Sequence, residues 1–145
     1  MSSLLHSEES FGIVVHGGAG VMSGLSEERQ QEIHKKIQET VSQAYEILEK
    51  GGSSLDAVEL AVSMLEDSPL FNAGRGSVYN SDEVQEMDAS IMDGKNRLSG
   101  AVASVTSVKN PIKLARKVAE ETKHVLLMGA VSYTHLTLPT SLIVV

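Results

Sequence analysis

Two consecutive apolar stripes with helical spacing constrain the fold of this chain more than any other feature of its sequence. The first stripe follows Ser26, a favourable N-cap, and Gly51-Gly52 lies where its C-terminal cap belongs. Ser53 and Asp56 have the spacing of a capping box and predict the start of a second helix. The stripes are Ile33, Ile37, Val41, Ala44 and Leu48, and then Leu55, Val58, Val62 and Leu65.

Short apolar segments on either side of these helices predict strands. Residues 11–16 form a continuous apolar run, and we expect a buried strand there. Asp93-Gly94 is a hairpin signal between residues 84–92 and 97–106. Residues 124–128 predict one more buried strand. Together with the helices, these strands predict a mixed chain of the α/β or α+β class.

Asn110 and Pro111 predict the start of a third helix. Asparagine is a favourable N-cap, and proline is favoured at the first helical position. The residues that would form the apolar face of this helix are Ile112, Ala115, Val118, Ala119 and Thr122.

Composition excludes several classes of protein. The net charge is -7 and aromatic residues make up 3% of the chain, so we expect an aliphatic core and no nucleic-acid surface. No apolar run reaches the roughly 18 residues needed to span a bilayer. There is no cysteine, hence no disulfide framework and no thiolate metal site. A cytoplasmic protein without a membrane partner is the default prediction.

His16-Gly17-Gly18-Ala19-Gly20 follows the first predicted strand and allows two interpretations. A histidine followed by glycines forms an oxyanion hole in lipase-like hydrolases, but the Gly-x-Ser-x-Gly motif of those enzymes is absent. Glycines also form tight turns without a catalytic role, and on the motif alone this is the favoured interpretation. A dinucleotide fingerprint fails because Ser23 stands at its last glycine position.

The other polar candidates are weaker. The histidines show no paired helical spacing, so a zinc site has little support. Glu86, Asp88 and Asp93 fit acid–base chemistry by type, but in a hairpin such residues more often hold turns or are solvated. Asn72 lies in a glycine-rich loop, where an amide either orients a nucleophile or substrate or simply forms a turn.

Several sequence blocks between residues 11 and 130 occur in an order that points to one family. They include VVHGGAG at residues 14–20, GGSSLDAV at 51–58, LEDSPLFNAGRG at 65–76 and MDASIMDG at 87–94. GAVA at 100–103, NPI at 110–112, LARKV at 114–118 and HVLLMG at 124–129 complete the series. In content and order these blocks resemble the N-terminal, α-subunit portion of plant-type asparaginases and isoaspartyl peptidases.

This resemblance implies the four-layer αββα sandwich of N-terminal-nucleophile hydrolases, with only its N-terminal half present here. It also implies cleavage of the side-chain amide of asparagine, or of isoaspartyl dipeptides, by a threonine that autocleavage exposes at a new N-terminus. That threonine is missing from the matching blocks, and Thr134, Thr137 and Thr140 do not replace it. The 145-residue chain by itself is therefore expected to be inactive.

The resemblance also implies site residues and partners. Asn72 matches an asparagine near the nucleophile, and the surrounding loop matches one that binds a structural sodium ion through backbone carbonyls. The matching carbonyl positions are Leu65, Glu66, Ser68, Phe71, Ala73 and Arg75. No other cofactor is implied. The implied partners are a small-molecule substrate, a missing β subunit, and a second αβ unit in a dimer.

Two alternative functions remain open, and the chain divides into three predicted segments. A glycosylasparaginase or threonine-aspartase-like member would share the fold, and a free-standing, non-catalytic binding domain belongs to a different class. Residues 1–10 are expected to be a flexible leader and residues 11–130 the α-subunit-like region. Residues 131–145 contain no acid, lysine or arginine, and this change of composition predicts an unrelated or artefactual tail.

Overall fold

A computed structural model describes residues 11–20, 22–134 and 136 of the chain. The helices are α1 (Glu27–Glu49), α2 (Ser54–Glu66), α3 (Pro111–Glu121) and α4 (Val131–Thr134), and the strands are β1 (Met87–Asp93), β2 (Leu98–Val105) and β3 (Leu126–Met128). Short 3₁₀ turns span Met22–Gly24 and Gly74–Gly76. The predicted α+β class is confirmed. The predictions for residues 1–10 and 137–145 lie outside the described residues.

The N-termini of α1 and α2 are capped as predicted. Ser26 Oγ accepts a hydrogen bond from the Arg29 amide at 3.3 Å. At the start of α2, Ser53 Oγ accepts from the Asp56 amide at 3.1 Å, and the Asp56 carboxylate accepts from the Ser53 amide at 3.4 Å. These bonds satisfy amides that a first helical turn leaves without partners, so both predicted helix starts are confirmed.

A tight turn at Gly51 and Gly52 ends α1 and leads into α2. Gly51 has a φ of 78°, a conformation that favours glycine. Its amide donates to the Leu48 carbonyl, and the Gly52 amide donates to the Ile47 carbonyl, both at 2.9 Å. This pair of bonds is the Schellman arrangement, which satisfies the last carbonyls of the helix. The predicted C-terminal cap is confirmed.

Helices α1 and α2 pack through small side chains. Ala44 of α1 is buried against Ala57 and Ala61 of α2, and these three residues form a separate apolar cluster. The stripe predicted for α2 needs one correction, because Val58 is exposed. The buried face of α2 is centred on the alanines, where small side chains let the two helices approach each other.

The strand predicted for residues 11–16 is wrong. The segment is assigned to no strand, and Val14 is 95% exposed. Ile13 and Val15 nevertheless pack against the α1–α2 cluster. The segment thus shows the alternation of a strand, but it has no neighbouring strand within the described residues to pair with.

The three strands form one sheet in the order β1–β2–β3. The predicted hairpin is confirmed, with β1 and β2 antiparallel and Asp93 paired with Leu98. Strand β1 begins three residues later than predicted, because Asn80 Oδ1 accepts hydrogen bonds from the amides of Asp82 and Val84 and holds a turn there. Strand β3 joins β2 in the parallel sense.

Helix α3 covers one face of this sheet. A Cβ at Gly100 would collide with the Ala115 carbonyl and the Ala119 amide, so only glycine permits this close approach of helix and strand. The core between them is aliphatic, as predicted, and it confirms Ile112, Ala115, Val118 and Ala119 of the predicted α3 face, whereas Thr122 lies beyond the end of the helix and is half-buried. The core consists of Met87, Ile91, Val102, Val105, Val108, Ile112, Leu114, Ala115, Val118, Ala119, Leu127 and Leu136.

The opposite face of the sheet is here called the open sheet face. No described part of the chain buries the large apolar side chains on it. Met92, Leu126 and Met128 on this face are 75%, 55% and 61% exposed. The prediction that residues 124–128 form a buried strand therefore holds only for Leu127. By register, the open sheet face consists of Ser90, Met92, Ser99, Ala101, Ala103, Leu126 and Met128.

Arg116 of α3 ties α3 to α2. One guanidinium nitrogen donates to Asp56 at 2.8 Å and to Glu59 at 3.1 Å, while another donates to Glu120 at 2.8 Å. Hydrogen bonds from Ser53 and then from Arg116 lower the pKa of Asp56. This network fixes the outer surfaces of the two helices, away from the loop that follows α2.

The short helix α4 contacts the body of the fold. Tyr133 Oη accepts hydrogen bonds from the amides of Thr106 and Ser107 at 2.9 and 3.0 Å, and Leu136 is buried in the main core. The boundary predicted after residue 130 stays a prediction. Within the described residues, no helix is long and apolar enough to cross a membrane.

Candidate functional site

Residues 65–76, here called the signature loop, run from the end of α2 through the Gly74–Gly76 turn. The loop is held by short-range backbone hydrogen bonds. The Leu65 carbonyl accepts from the Ser68 amide at 3.1 Å, and the Ala73 carbonyl accepts from the Gly76 amide at 3.0 Å. These bonds give a defined backbone path to the stretch between the end of α2 and the Gly74–Gly76 turn.

Two glycines bring backbone carbonyl groups together in this loop. Gly74 has a φ of 51°, and a Cβ there would lie 2.5 Å from the Glu66 carbonyl oxygen. A Cβ at Gly76 would collide with the Phe71 carbonyl and lie 3.0 Å from the Ser68 carbonyl oxygen. The carbonyls of Glu66, Ser68 and Phe71 thus crowd around a glycine segment that admits no side chain.

This carbonyl cradle fits the chemistry of the predicted sodium site. Hard cations take oxygen ligands, and a carbonyl that accepts one hydrogen bond keeps a second lone pair. Of the six predicted ligand residues, Glu66 has its carbonyl against Gly74, and Ser68 and Phe71 have theirs against Gly76. Leu65 and Ala73 lie in the same loop, and Arg75 is in its 3₁₀ turn. The described residues contain no cluster of three or more histidine, cysteine or acidic side chains that could hold a metal.

Asn72 joins the signature loop to the chain that follows it. Its Oδ1 accepts a hydrogen bond from the Val78 amide at 2.9 Å. Because the donor is a backbone N–H, the orientation of the side-chain amide is fixed, with Nδ2 as the remaining donor. Nδ2 donates to no described residue, and Asn72 is exposed. The arrangement holds an amide N–H donor in a defined position on the surface.

The His16–Gly20 motif lies beside this loop. A Cβ at Gly17 would lie 2.9 Å from Ile37 Cδ1 and 3.1 Å from Phe71 Cε1, so the backbone of the motif packs on the ring that precedes Asn72. The Gly18 amide donates to His16 Nδ1 at 3.0 Å. This bond requires an unprotonated Nδ1 and places any ring proton on Nε2. Two motifs far apart in sequence thus meet at one place.

Glu66 is a site residue whose side chain the sequence did not single out. Its side chain is buried, and Oε1 accepts a hydrogen bond from the Ile112 amide at 2.9 Å. Burial raises the pKa of Glu66 to about 7. The Glu66 side chain therefore caps α3 from a position 46 residues earlier in the chain. A local sequence motif cannot predict a bond over that sequence separation.

The N-cap predicted at Asn110 is correct in position but wrong in its side-chain role. Asn110 makes no side-chain cap bond to α3. Its Nδ2 instead donates to Asp67 Oδ1 at 3.1 Å, and Lys109 Nζ donates to the same carboxylate at 3.1 Å. The side chain is directed to the end of α2 because Glu66 already satisfies the α3 amide.

The acidic residues of the hairpin hold local structure. Asp88 Oδ1 accepts from the Ser104 amide at 2.8 Å, next to a bulge between β1 and β2. Asp93 accepts from the Lys95 amide at 2.9 Å and from Asn96 Nδ2 at 2.6 Å. These bonds support the turn-holding interpretation of the acids over acid–base chemistry.

Comparison with known proteins relates the sequence to one family. The sequence profile of the asparaginase family matches residues 9–137. A plant-type L-asparaginase of Pyrococcus furiosus is 56% identical over 117 residues, which are 81% of this chain and 37% of that protein. The isoaspartyl peptidase/L-asparaginase of Rattus norvegicus is 51% identical over 117 residues, 81% of this chain and 34% of that protein. The human protein of the same name is 50% identical over 115 residues. The chain spans about a third of the length of these curated relatives.

Proposed function

The chain belongs to the asparaginase family, and we propose that it forms the N-terminal portion of a hydrolase for the side-chain amide of asparagine or of isoaspartyl dipeptides. The observation that carries this proposal is the signature loop, which holds the Asn72 amide in one orientation and packs Phe71 against Gly17 of the His16–Gly20 motif. The names of the relatives, plant-type L-asparaginase and isoaspartyl peptidase/L-asparaginase, support this substrate class.

The proposed chemistry divides the work between two parts of the protein. A hydroxyl is a poor nucleophile unless a base lies beside it, and an N-terminal threonine carries that base as its own α-amine. The threonine would come from the portion of the relatives that lies beyond the matched region. This chain would contribute Asn72, whose Nδ2 is a donor suited to hold the threonine hydroxyl or the substrate amide oxygen.

We propose that the open sheet face packs on a second sheet, which would complete the four-layer αββα sandwich. Helix α3 already supplies one helical layer over β1, β2 and β3. The apolar side chains Met92, Leu126 and Met128 face the other way and supply the surface for sheet-on-sheet packing. The second sheet would come from the β subunit, and a dimer of αβ units and a cytoplasmic location remain predictions of the family resemblance.

We propose that the signature loop binds a structural sodium ion through its backbone carbonyls. The test uses a chimeric enzyme, in which the 117 residues matched to the Pyrococcus furiosus plant-type L-asparaginase replace their counterparts in that protein. We expect its melting temperature to be a few degrees higher in sodium chloride than in choline chloride of equal ionic strength. Gly76→Ala should abolish this difference, because its Cβ would push on the Phe71 and Ser68 carbonyls. Gly94→Ala is the matched control, since a Cβ there meets no atom within 4 Å. A sodium effect that survives Gly76→Ala would contradict the site.

The proposed activity is tested in the same chimeric enzyme. We expect the chimera to release ammonia from asparagine within about tenfold of the parent's kcat/KM, a change of about 1.4 kcal/mol in the activation barrier. The 145-residue chain alone should release none, because it would lack the nucleophile.

The outcomes separate the competing functions. A folded chimera that contains the parent's threonine but neither cleaves itself nor hydrolyses asparagine or an isoaspartyl dipeptide would contradict the proposed function. Ammonia release by the 145-residue chain would contradict the division of work between the two parts. Mutation of Thr134 in that chain would then show whether it acts as a nucleophile.

A further inference from the structure

The C-terminal end of α2 is the point at which the signature loop and the α3–sheet body of the fold are joined. Glu66 is the last residue of α2 and the second residue of the signature loop, and its carbonyl faces Gly74. The side chain of the same residue turns to α3, where Oε1 accepts from the Ile112 amide. One residue thus contacts both the loop and the helix that packs on the sheet.

We propose that Glu66 is a positioning residue, whose carboxylate bond to the α3 N-terminus fixes the signature loop and thereby the Asn72 side chain. The catalytic consequence rests on the proposed function, whereas the mechanical coupling does not. The coupling runs from the Ile112 amide through the Glu66 side chain to its carbonyl and Gly74, and from there to the loop that carries Asn72.

The burial of the Glu66 side chain supports this role. Glu66 is 3% exposed, and breaking a buried hydrogen bond leaves its partner unsatisfied away from water, which costs more than breaking an exposed bond. The second contact between α2 and α3 at this end joins Asp67 to Lys109 and Asn110. Asp67 and Lys109 are largely exposed, and exposed ion pairs contribute little. The Glu66 bond and the bond from the buried Asn110 to Asp67 remain, and of these two the Glu66 bond reaches the backbone of α3.

Amide hydrogen exchange in the chimeric enzyme, where the open sheet face would be covered, measures this coupling directly. The reporter is the Val78 amide, which donates to Asn72 Oδ1. The internal reference is the Ser104 amide, which makes the same kind of bond to Asp88 Oδ1 in the hairpin. In Glu66→Leu we expect the ratio of the Val78 rate to the Ser104 rate to rise at least about tenfold, because the buried Ile112 amide then loses its hydrogen-bond partner.

Two variants separate the hydrogen bond from the bulk of the side chain. Glu66→Gln keeps an oxygen at the Oε1 position, and we expect its exchange ratio to stay within about twofold of the unmodified chain. Glu66→Asp keeps the carboxyl group but withdraws it by one methylene group, and its ratio should rise as in Glu66→Leu. Arg116→Met is the control for a loosened α2–α3 contact elsewhere. It should raise both rates together and leave the ratio unchanged.

The result that overturns the proposal is an unchanged ratio in both Glu66→Leu and Glu66→Asp, or an equal rise in Arg116→Met. A kinetic test in the chimeric enzyme then isolates the catalytic consequence. We expect Glu66→Leu to lower kcat about tenfold per folded molecule with KM nearly unchanged, and Glu66→Gln to restore it. If the chimera is inactive, the proposed function fails while the exchange ratio still decides the coupling.

Discussion

Replacing Asn72 with alanine in the chimeric enzyme should lower kcat for asparagine about 100-fold, the usual cost of removing one preorganised donor from an amide hydrolase. Autocleavage should slow as well, because the same threonine would act in both reactions. The reason is geometric. Oδ1 is engaged by the Val78 amide, which leaves Nδ2 as a donor held in one orientation. The measurement is ammonia release per folded molecule, with precursor cleavage followed on a denaturing gel.

The matched control is Asn80→Ala. Asn80 is an exposed asparagine in the next turn, and its Oδ1 also accepts backbone hydrogen bonds, from Asp82 and Val84. We expect its loss to lower the melting temperature while sparing kcat. If Asn72→Ala shows the same pattern, a lower melting temperature with an unchanged rate per folded molecule, then Asn72 is a turn residue and the catalytic assignment is wrong.

The sequence predicted those parts of the fold that depend on neighbours within a few residues. Ser26, the Ser53–Asp56 capping box and the Gly51-Gly52 turn are local devices, and each was confirmed. The hairpin at Asp93-Gly94 was confirmed for the same reason. Local chemistry at these positions decides the structure, so the pattern of residues is sufficient to predict it.

The predictions that failed depend on distant parts of the molecule. The continuous apolar run at residues 11–16 predicted a buried strand. A strand exists only where another strand pairs with it, and this segment is assigned to no strand although Ile13 and Val15 pack against the α1–α2 cluster. The bond from Glu66 to Ile112 crosses 46 positions and left Asn110 without its predicted capping role. The family resemblance identified the signature loop, yet the meeting of Gly17 with Phe71 became visible only in three dimensions.

The open sheet face leads to the second large expected effect, on the stability and association of the 145-residue chain. Its three large apolar side chains, Met92, Leu126 and Met128, are between 55% and 75% exposed. Full burial of such a side chain contributes about 1.5–3 kcal/mol. Leaving these three mostly in water therefore forgoes roughly 3–6 kcal/mol, a large part of the 5–15 kcal/mol by which a typical domain is stable.

We therefore expect the chain alone to bind a dye specific for apolar surface, to associate in light scattering, and to unfold in a broad thermal transition. The combined variant Met92→Lys, Leu126→Glu and Met128→Lys should lower dye fluorescence by at least about half and reduce association, because charges oppose contact between two apolar faces. The control variant carries Val78→Lys and Tyr79→Glu, which alter exposed apolar residues outside the sheet. It should leave both signals unchanged. A monomer with a sharp transition and weak dye binding would show that the open sheet face needs no covering layer, and the free-standing binding domain would then replace the amide hydrolase as the preferred interpretation.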